Sequence, residues 1–298
     1  MPPDFNPSFQ VPNWGWWIVL YFFAGGITGG VYFAAAWLDV FGEDSDRWAM
    51  RIGHLIAFPL LVLCAVFLVV DLGQPLRFWH MIFQSENFPL PIFKPYSPMS
   101  FGSALLGVFG LVAFISFLDA VFTRNTFVHR AGSVVGKIVS IIGALGGLAL
   151  ASYTGAVLNV SNAPVWSNSP WISALFLFSG VSTGIAALLL VARRGPHTTV
   201  EKLSEADNYM MLFELLVLIV FLASLGAVGA QFIFGTATVF LFIFVVVLGL
   251  VVPLILHWRP GLAGNERVAS VAAAVLVLVG GFVLRWAVLA GPQGIRLS

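Results

Sequence analysis

Charge is scarce in this chain. Of its 298 residues, 9% are Asp, Glu, Lys or Arg, against roughly 25% in soluble domains. So few charges cannot clothe a water-facing surface, and lipid is the expected solvent. The formal net charge of +1 gives no electrostatic case for nucleic acid, which is not expected as a partner. Cysteine is limited to Cys64, inside an apolar run. One thiol excludes an intramolecular disulfide, a Cys-ligated zinc site and an iron–sulfur cluster held by this chain alone. Cys64 reads as a small core hydrophobe. Histidine is sparse too. Only His54 lies within an apolar run; His257 ends a later run, and His80, His129 and His197 fall in loops. A bis-His haem needs two His at similar depth on facing helices, and His54 with His257 is the one candidate pair. A lone His near a helix start is more commonly a hydrogen-bonded structural residue, so no haem is expected. The opening "MPPDFNPSFQVPNWGWW" has no basic region before its apolar run. It does not read as a cleavable signal, and the first span is expected to remain.

What the chain has is apolar length. It is 59% hydrophobic with mean hydropathy +0.97. A span needs about 20 mostly apolar residues, and eight runs qualify: about 16–38, 51–71, 99–122, 133–157, 171–192, 207–229, 234–256 and 267–290. Backbone groups in lipid must be satisfied internally, so these are helices. The expectation is an all-α integral membrane protein, one domain over 1–298 built as a bundle of eight transmembrane helices, with no internal repeat and no long soluble domain. The fourth run, "VVGKIVSIIGALGGLALASYTGAVL", is rich in small residues that permit close helix contact. It is expected at the bundle centre.

Lys and Arg divide unevenly between the loops. One side carries Arg77, Lys94 and Arg296; the other carries Arg47, Arg51, Arg124, Arg130, Lys137, Arg193, Arg194, Lys202, Arg259 and Arg267. The positive-inside rule then puts both termini outside, the periplasm in a bacterial inner membrane. Two outer loops, "HMIFQSENFPLPIFKPYSPMS" and "LNVSNAPVWSNSPW", carry Pro, Trp and Asn rather than charge. They suit docking of another protein, or serve as plain interfacial loops with a Trp belt.

Ionisable residues inside spans are costly and are functional candidates by default. Here they are His54, Asp71, Asp119, Lys137, Glu214 and Arg285. Asp119 and Lys137 lie near inner helix ends and can snorkel. Asp71 and Arg285 lie toward the outer face, where they could pair with each other or with Arg77. Asp207 and Glu214 are seven residues apart, so two helical turns put them on one face. Stacked carboxylates suit a proton relay, with His54 and Arg285 as further intramembrane members. The alternative is one buried Glu held by Ser or Thr hydroxyls, with Asp207 capping the helix start. Both readings stay open from the residues. On the outer side gather Asn13, Trp14, Trp16, Trp17, Asp71, Tyr153, Thr154, Gly155 and Trp286. A flat ring with two carbonyl oxygens could sit among them; an aromatic belt is the plainer alternative.

Several short motifs line up in order: "WWIVLYFFAGGITGG", "DLGQPLRFW", "SPMSFGS", "YTGAVL", "FLFSGVSTG", the Asp207…Glu214 pair and "GGFVLRWAVLAG". With eight spans and outer termini, the chain resembles the NrfD/PsrC family, the membrane subunits of polysulfide reductase-like iron–sulfur molybdoenzymes. The resemblance implies a menaquinone (or other quinone) pocket beside the Asp-x-Gly-x-Pro loop. It also implies a docked ferredoxin-like subunit with [4Fe–4S] clusters on the periplasmic side and, through it, a molybdopterin catalytic subunit. It implies that Asp71 and Arg77 shape the pocket or its proton exit, and that Tyr153 hydrogen-bonds a quinone carbonyl. Asn13 becomes the N-terminal polar partner, with Trp14 beside it. Asp207 and Glu214 match carboxylates implicated in proton transfer, and Arg285 matches a basic residue of the last span. Many members carry a His just before or within the first span. This chain has none before His54, and Trp14 or Tyr21 stands there instead. The expected role is a quinone-reactive anchor subunit in a bacterial or archaeal inner membrane, not catalytic alone. Its rivals are a secondary transporter and a passive anchor without quinone chemistry.

Overall fold

The computed structural model describes residues 14–81, 97–122, 134–161, 163, 165–193, 195–226 and 242–293. Among these residues the secondary structure is helical. The long helices are α1 (Trp16–Phe41), α2 (Arg47–Asp71), α3 (Pro98–Phe122), α4 (Val134–Asn159), α5 (Ile172–Ala192), α6 (His197–Ser224) and α8 (Glu266–Gln293). Between the last two lies α7 (Phe242–Trp258), which contains a wide π turn at Val245–Val251. Seven helices are long and apolar enough to cross a membrane, and α7 is shorter. The shortest of the seven, α5, has 21 residues, about 31 Å at 1.5 Å per residue, which matches a hydrocarbon core. One end of the bundle holds the starts of α1, α3, α5 and α7 and the finishes of α2, α4, α6 and α8. We call it the amino-terminal face, and the opposite end the basic face.

The centre belongs to α1, not to α4 as the small-residue pattern suggested. In its most apolar window 78% of α1 is buried, against 67% for α5 and 33% for α4. The run "AGGITGG" explains this. A Cβ added at Gly147 of α4 would stand 2.8 Å from Gly29 O, and one at Gly180 of α5 would stand 3.2 Å from Gly26 Cα. Helices this close gain dispersion contacts that lipid cannot match. The small residues of α4 do mediate contact, but on one side of a spine that α1 supplies.

Span six starts earlier than expected. Its helix opens at His197, so Asp207 sits nearly three turns inside and is no N-cap. The basic face is tied by Asp46, which is fully buried. It accepts from Thr199 Oγ1 at 2.6 Å, Lys202 Nζ at 2.9 Å and Glu43 N at 2.8 Å, joining the α1–α2 corner to α6. Arg51 Nε donates to Ala120 O at 2.8 Å, tying α2 to α3. Ser140 donates to Asp39, tying α4 to α1. Asp119 is half-buried and Lys137 exposed near that same face.

The loop "LNVSNAPVWSNSPW", read as a docking surface or a plain interfacial loop, is divided in its described part, with Val160, Ser167, Asn168, Pro170 and Trp171 exposed. Ala163, Val165, Trp166 and Ser169 are buried. Trp166 Nε1 donates to Val288 O at 2.7 Å, and its ring stacks on Trp14 with centroids 5.2 Å apart. Ser169 and Ser224 share a hydrogen bond of 2.5 Å. Val165 holds a left-handed backbone, φ 74°, to make the turn, a costly conformation for a β-branched residue. Of the other outer loop, residues 82–96 lie outside the described residues.

Candidate functional site

The inward face of α6 is set by helical spacing: Leu203, Asp207, Met211, Glu214, Leu218 and Phe221 are buried along one stripe. Two of these are carboxylates, which must be paired or hydrogen-bonded to be tolerated. Asp207 Oδ1 accepts from Ser182 Oγ at 2.9 Å, while Oδ2 has no protein partner among the described residues. Glu214 lies two turns further along the same buried stripe, with the Ser179 hydroxyl of α5 and the Arg285 guanidinium of α8 as its polar neighbours. Ser179 and Ser182 sit one turn apart on α5, so two hydroxyls of one helix face two carboxylates of the next.

Arg285 enters from α8 and is fully buried. Its Nε donates to Phe22 O at 3.1 Å; its Nη1 donates to Gly281 O at 2.8 Å and Ser179 Oγ at 3.1 Å. The guanidinium lies 5.8 Å from the Phe23 ring centre and 5.6 Å from that of Phe176, within cation–π range. Nη2 faces Gly26, with no hydrogen-bond partner among the described residues. A Cβ on Gly26 would fall within contact distance of Nη2 and 3.2 Å from Cζ. Only glycine on α1 admits the cation here. Ser179 thus accepts from Arg285 and neighbours Glu214.

Three of the four expected proton-transfer residues therefore converge: Asp207, Glu214 and Arg285. His54 is elsewhere, buried on α2 with its ring 4.8 Å from that of Tyr32. His257 Nδ1 meets Asn208 Oδ1 at 2.9 Å, on α6. The two His considered as a haem pair thus have separate neighbourhoods. Ser179, Ser182 and Gly26 had not been singled out. Their only sequence signal was the hydroxyl spacing in "FLFSGVSTG" and the doubled glycines of α1.

At the amino-terminal face the expected quinone residues are less concentrated. Tyr153 is half-buried and its hydroxyl donates to Pro98 O at 2.6 Å, over the bare Cα of Gly102. Tyr21 is buried on α1. Gly25, one turn below it, faces Thr154: an added Cβ there would lie 3.9 Å from Thr154 Cγ2 and 4.0 Å from Tyr21 Cε2. Two phenols and the clearance at Gly25 are chemically suited to a carbonyl-bearing ring, while Gly102 makes room for the Tyr153 ring itself. Trp14 is engaged by Trp166 and by Phe22, at 6.0 Å. Trp16 stacks on Trp286 at 5.9 Å, and Trp17 lies 6.0 Å from Phe67, forming a belt at this face. Asn13 lies outside the described residues. Asp71 ends α2 and is exposed, as is Arg77 in the 3₁₀ turn Pro75–Met81. The pairing of Asp71 with Arg77 or Arg285, open from the sequence, is not formed among the described residues. Arg285 is spent in the core on carbonyls and Ser179, while Asp71 and Arg77 stay at the surface.

Over residues 6–295 the chain matches the family described as Polysulphide reductase, NrfD. It belongs to the NrfD family. With its apolar helices this makes it a multi-pass membrane protein. It is similar to Protein NrfD homolog of Haemophilus influenzae, 26% identical over 329 residues, covering 98% of this chain and 99% of the relative. Protein NrfD of Escherichia coli is 25% identical, covering 96% of each. A polysulfide reductase chain of Wolinella succinogenes is 29% identical over 60% of this chain and 57% of its own length. The NrfD match spans both the Asp207–Glu214–Arg285 cluster and the Tyr153 face.

Proposed function

We propose that this chain is the quinone-reactive membrane anchor of a reductase-type complex, and that Asp207 and Glu214 carry protons in it. The observation that carries the reading is the buried Arg285–Ser179–Glu214 cluster with Asp207 two turns away, in a chain of the NrfD family. A scaffold alone gains nothing from burying two carboxylates and a guanidinium in lipid. Relatives named as parts of a polysulfide reductase and of a selenate reductase support a place in such a complex.

A bound quinol would supply two electrons and two protons. Tyr153 and Tyr21 would orient the ring by their hydroxyls, with Gly25 giving clearance and Gly102 seating Tyr153. Tyr153 would turn its donor from Pro98 O to the ligand, an exchange of one hydrogen bond for another. Asp71, exposed at the same face, would accept protons leaving outward. The chain has one cysteine, so the electrons belong to clusters of a docked ferredoxin-like partner and, beyond it, a molybdopterin subunit. By the asymmetry of Lys and Arg, that partner sits at the amino-terminal face, on the periplasmic side of the inner membrane.

The test is quinol-linked turnover of the complex purified in mild detergent, with iron, molybdenum and quinone measured in the same sample. Tyr153→Phe should lower turnover about tenfold or more, the worth of one hydrogen bond made to the reacting group. Unchanged turnover in that variant would leave a passive anchor. A lone polypeptide without metal or quinone would favour the transporter reading.

A further inference from the structure

The spine helix is uncovered at one place. From Ala24 to Leu38 every residue of α1 is buried except Phe33 and Trp37, one turn apart. A cavity of about 340 Å³ lies against them, within the size range of small-ligand sites. Its apolar lining includes Phe33, Ala34 and Trp37 from α1, Ile185 from α5 and Met210 from α6. Its polar lining is Lys202, Glu205 and Tyr209, whose spacing of three and then four puts them on one face of α6. The depth is fixed by the length of α6. Its 28 residues span about 42 Å, against a hydrocarbon core of about 30 Å. The polar opening, residues 197–206, therefore stands in the headgroup layer, and Phe33 and Met210 face the chains below it.

The charges at this mouth do not balance. Lys202 Nζ donates to Asp46 Oδ2 at 2.9 Å and lies 3.6 Å from Glu43 Oε2. An ammonium has three N–H donors, so the Asp46 bond leaves Lys202 able to take another oxygen. Glu205 is exposed and forms no ion pair among the described residues. One ammonium thus stands among three carboxylates, an excess of two negative charges.

We propose that this groove between α1, α5 and α6 is a binding site for one phospholipid with an ethanolamine headgroup. Lys202 takes a phosphate oxygen, Glu205 takes the headgroup ammonium, and the Tyr209 hydroxyl serves an ester oxygen. An acyl chain covers Phe33, Ile185 and Met210. The groove supplies the opposite charge for each half of that zwitterion. A headgroup of negative charge alone meets repulsion from the excess carboxylates. A choline headgroup has no N–H to give Glu205 and forms no charge-assisted hydrogen bond there. The site shares no residue with the quinone and proton-transfer reading and is independent of it.

The test is native mass spectrometry of the purified protein in mild detergent, titrated with equal amounts of phosphatidylethanolamine, phosphatidylglycerol and phosphatidylcholine. The first lipid bound should be phosphatidylethanolamine, preferred over phosphatidylglycerol about fivefold, the scale of one interfacial ion pair. Glu205→Gln should remove most of that preference. Glu205→Lys balances the charge of the mouth and should turn the preference toward phosphatidylglycerol. Ala206→Phe adds a ring to the cavity lining and should weaken binding of all three lipids. The exposed Glu205 variants keep the proposal readable if the Ala206 variant fails to fold. Equal binding of the three lipids by the unaltered chain, or a preference that Glu205→Lys leaves in place, would overturn it. So would a second copy or a partner chain cross-linked at Tyr209 with no lipid retained.

Discussion

Gly26→Ala adds one methyl group at the tightest point of the buried cluster. The new Cβ would press on Arg285 Nη2, with Cζ at 3.2 Å and Gly180 Cα at 3.2 Å on the other side. Neither neighbour yields easily. The guanidinium is held by Phe22 O, Gly281 O and Ser179 at 3.1, 2.8 and 3.1 Å. Gly180 is backbone of the adjacent helix. Either α1 and α5 part, an overpacking cost of about 1–3 kcal/mol, or Arg285 gives up a charge-assisted hydrogen bond, at about 1.5–3 kcal/mol. Alanine returns up to about 1 kcal/mol of helix propensity. The net expectation is a loss of about 1–2 kcal/mol. The assay is reversible unfolding of the purified protein in mixed micelles with increasing dodecyl sulfate, followed by tryptophan fluorescence. Gly107→Ala, on an exposed face of α3 with nothing within 4 Å of an added Cβ, is the control and should be neutral or slightly stabilised. Combining Gly26→Ala with Arg285→Lys should cost less than the sum, because lysine lacks the planar fork that the methyl displaces. A Gly26→Ala protein that unfolds like Gly107→Ala, or strictly additive costs in the pair, would refute the steric account.

Two further outcomes follow from other contacts. Asp46→Asn should destabilise the α1–α2 corner by about 1–2 kcal/mol in the same unfolding assay, because the Lys202 ammonium at 2.9 Å loses its charge partner; a loss no larger than a few tenths would mean the ion pair is solvent-screened. Trp166→Phe removes the N–H bonded to Val288 O at 2.7 Å and should cost about 1–2 kcal/mol. It should also speed proteolysis at the exposed Ser167–Asn168 bond, and an unaltered cleavage rate would sink that reading.

How far the sequence carried depended on which force set each feature. The expected span 234–256 lies partly outside the described residues and is a shorter helix in its described part. The other seven of the eight expected spans were legible because lipid demands long apolar runs, and that demand acts residue by residue. The start of α6 was missed for the same reason. Residues 197–206, "HTTVEKLSEA", favour helix but are polar, so hydropathy began the segment ten residues late and turned Asp207 into an apparent cap. The shared face of Asp207 and Glu214 was legible from helical periodicity. Their partners were not, because Ser179, Ser182 and Arg285 come from other helices, and hydroxyls in spans more often satisfy their own backbone. The glycines of α1 were visible, but which helix each would meet is a property of packing. Small residues in α4 pointed to the right kind of contact and the wrong centre. Asp71 and Arg77 were grouped by a possible ion pair and by the resemblance; both lie exposed at a helix end and in a 3₁₀ turn, and they form no ion pair with each other.

The clasp of Arg285 on Phe22 also sets an order of events during synthesis. The two residues are 263 positions apart in the sequence. The helix that forms the centre of the bundle is made well before α8, which brings the cation that locks it. Until α8 enters the membrane, Glu214 and Ser179 lack their positive neighbour and the groove at Gly26 stands open. A ribosome stalled before residue 266 would therefore leave a bundle with an uncompensated carboxylate in lipid, a form suited to recognition by membrane quality control. Insertion of α8 and completion of the buried charge network are the same step.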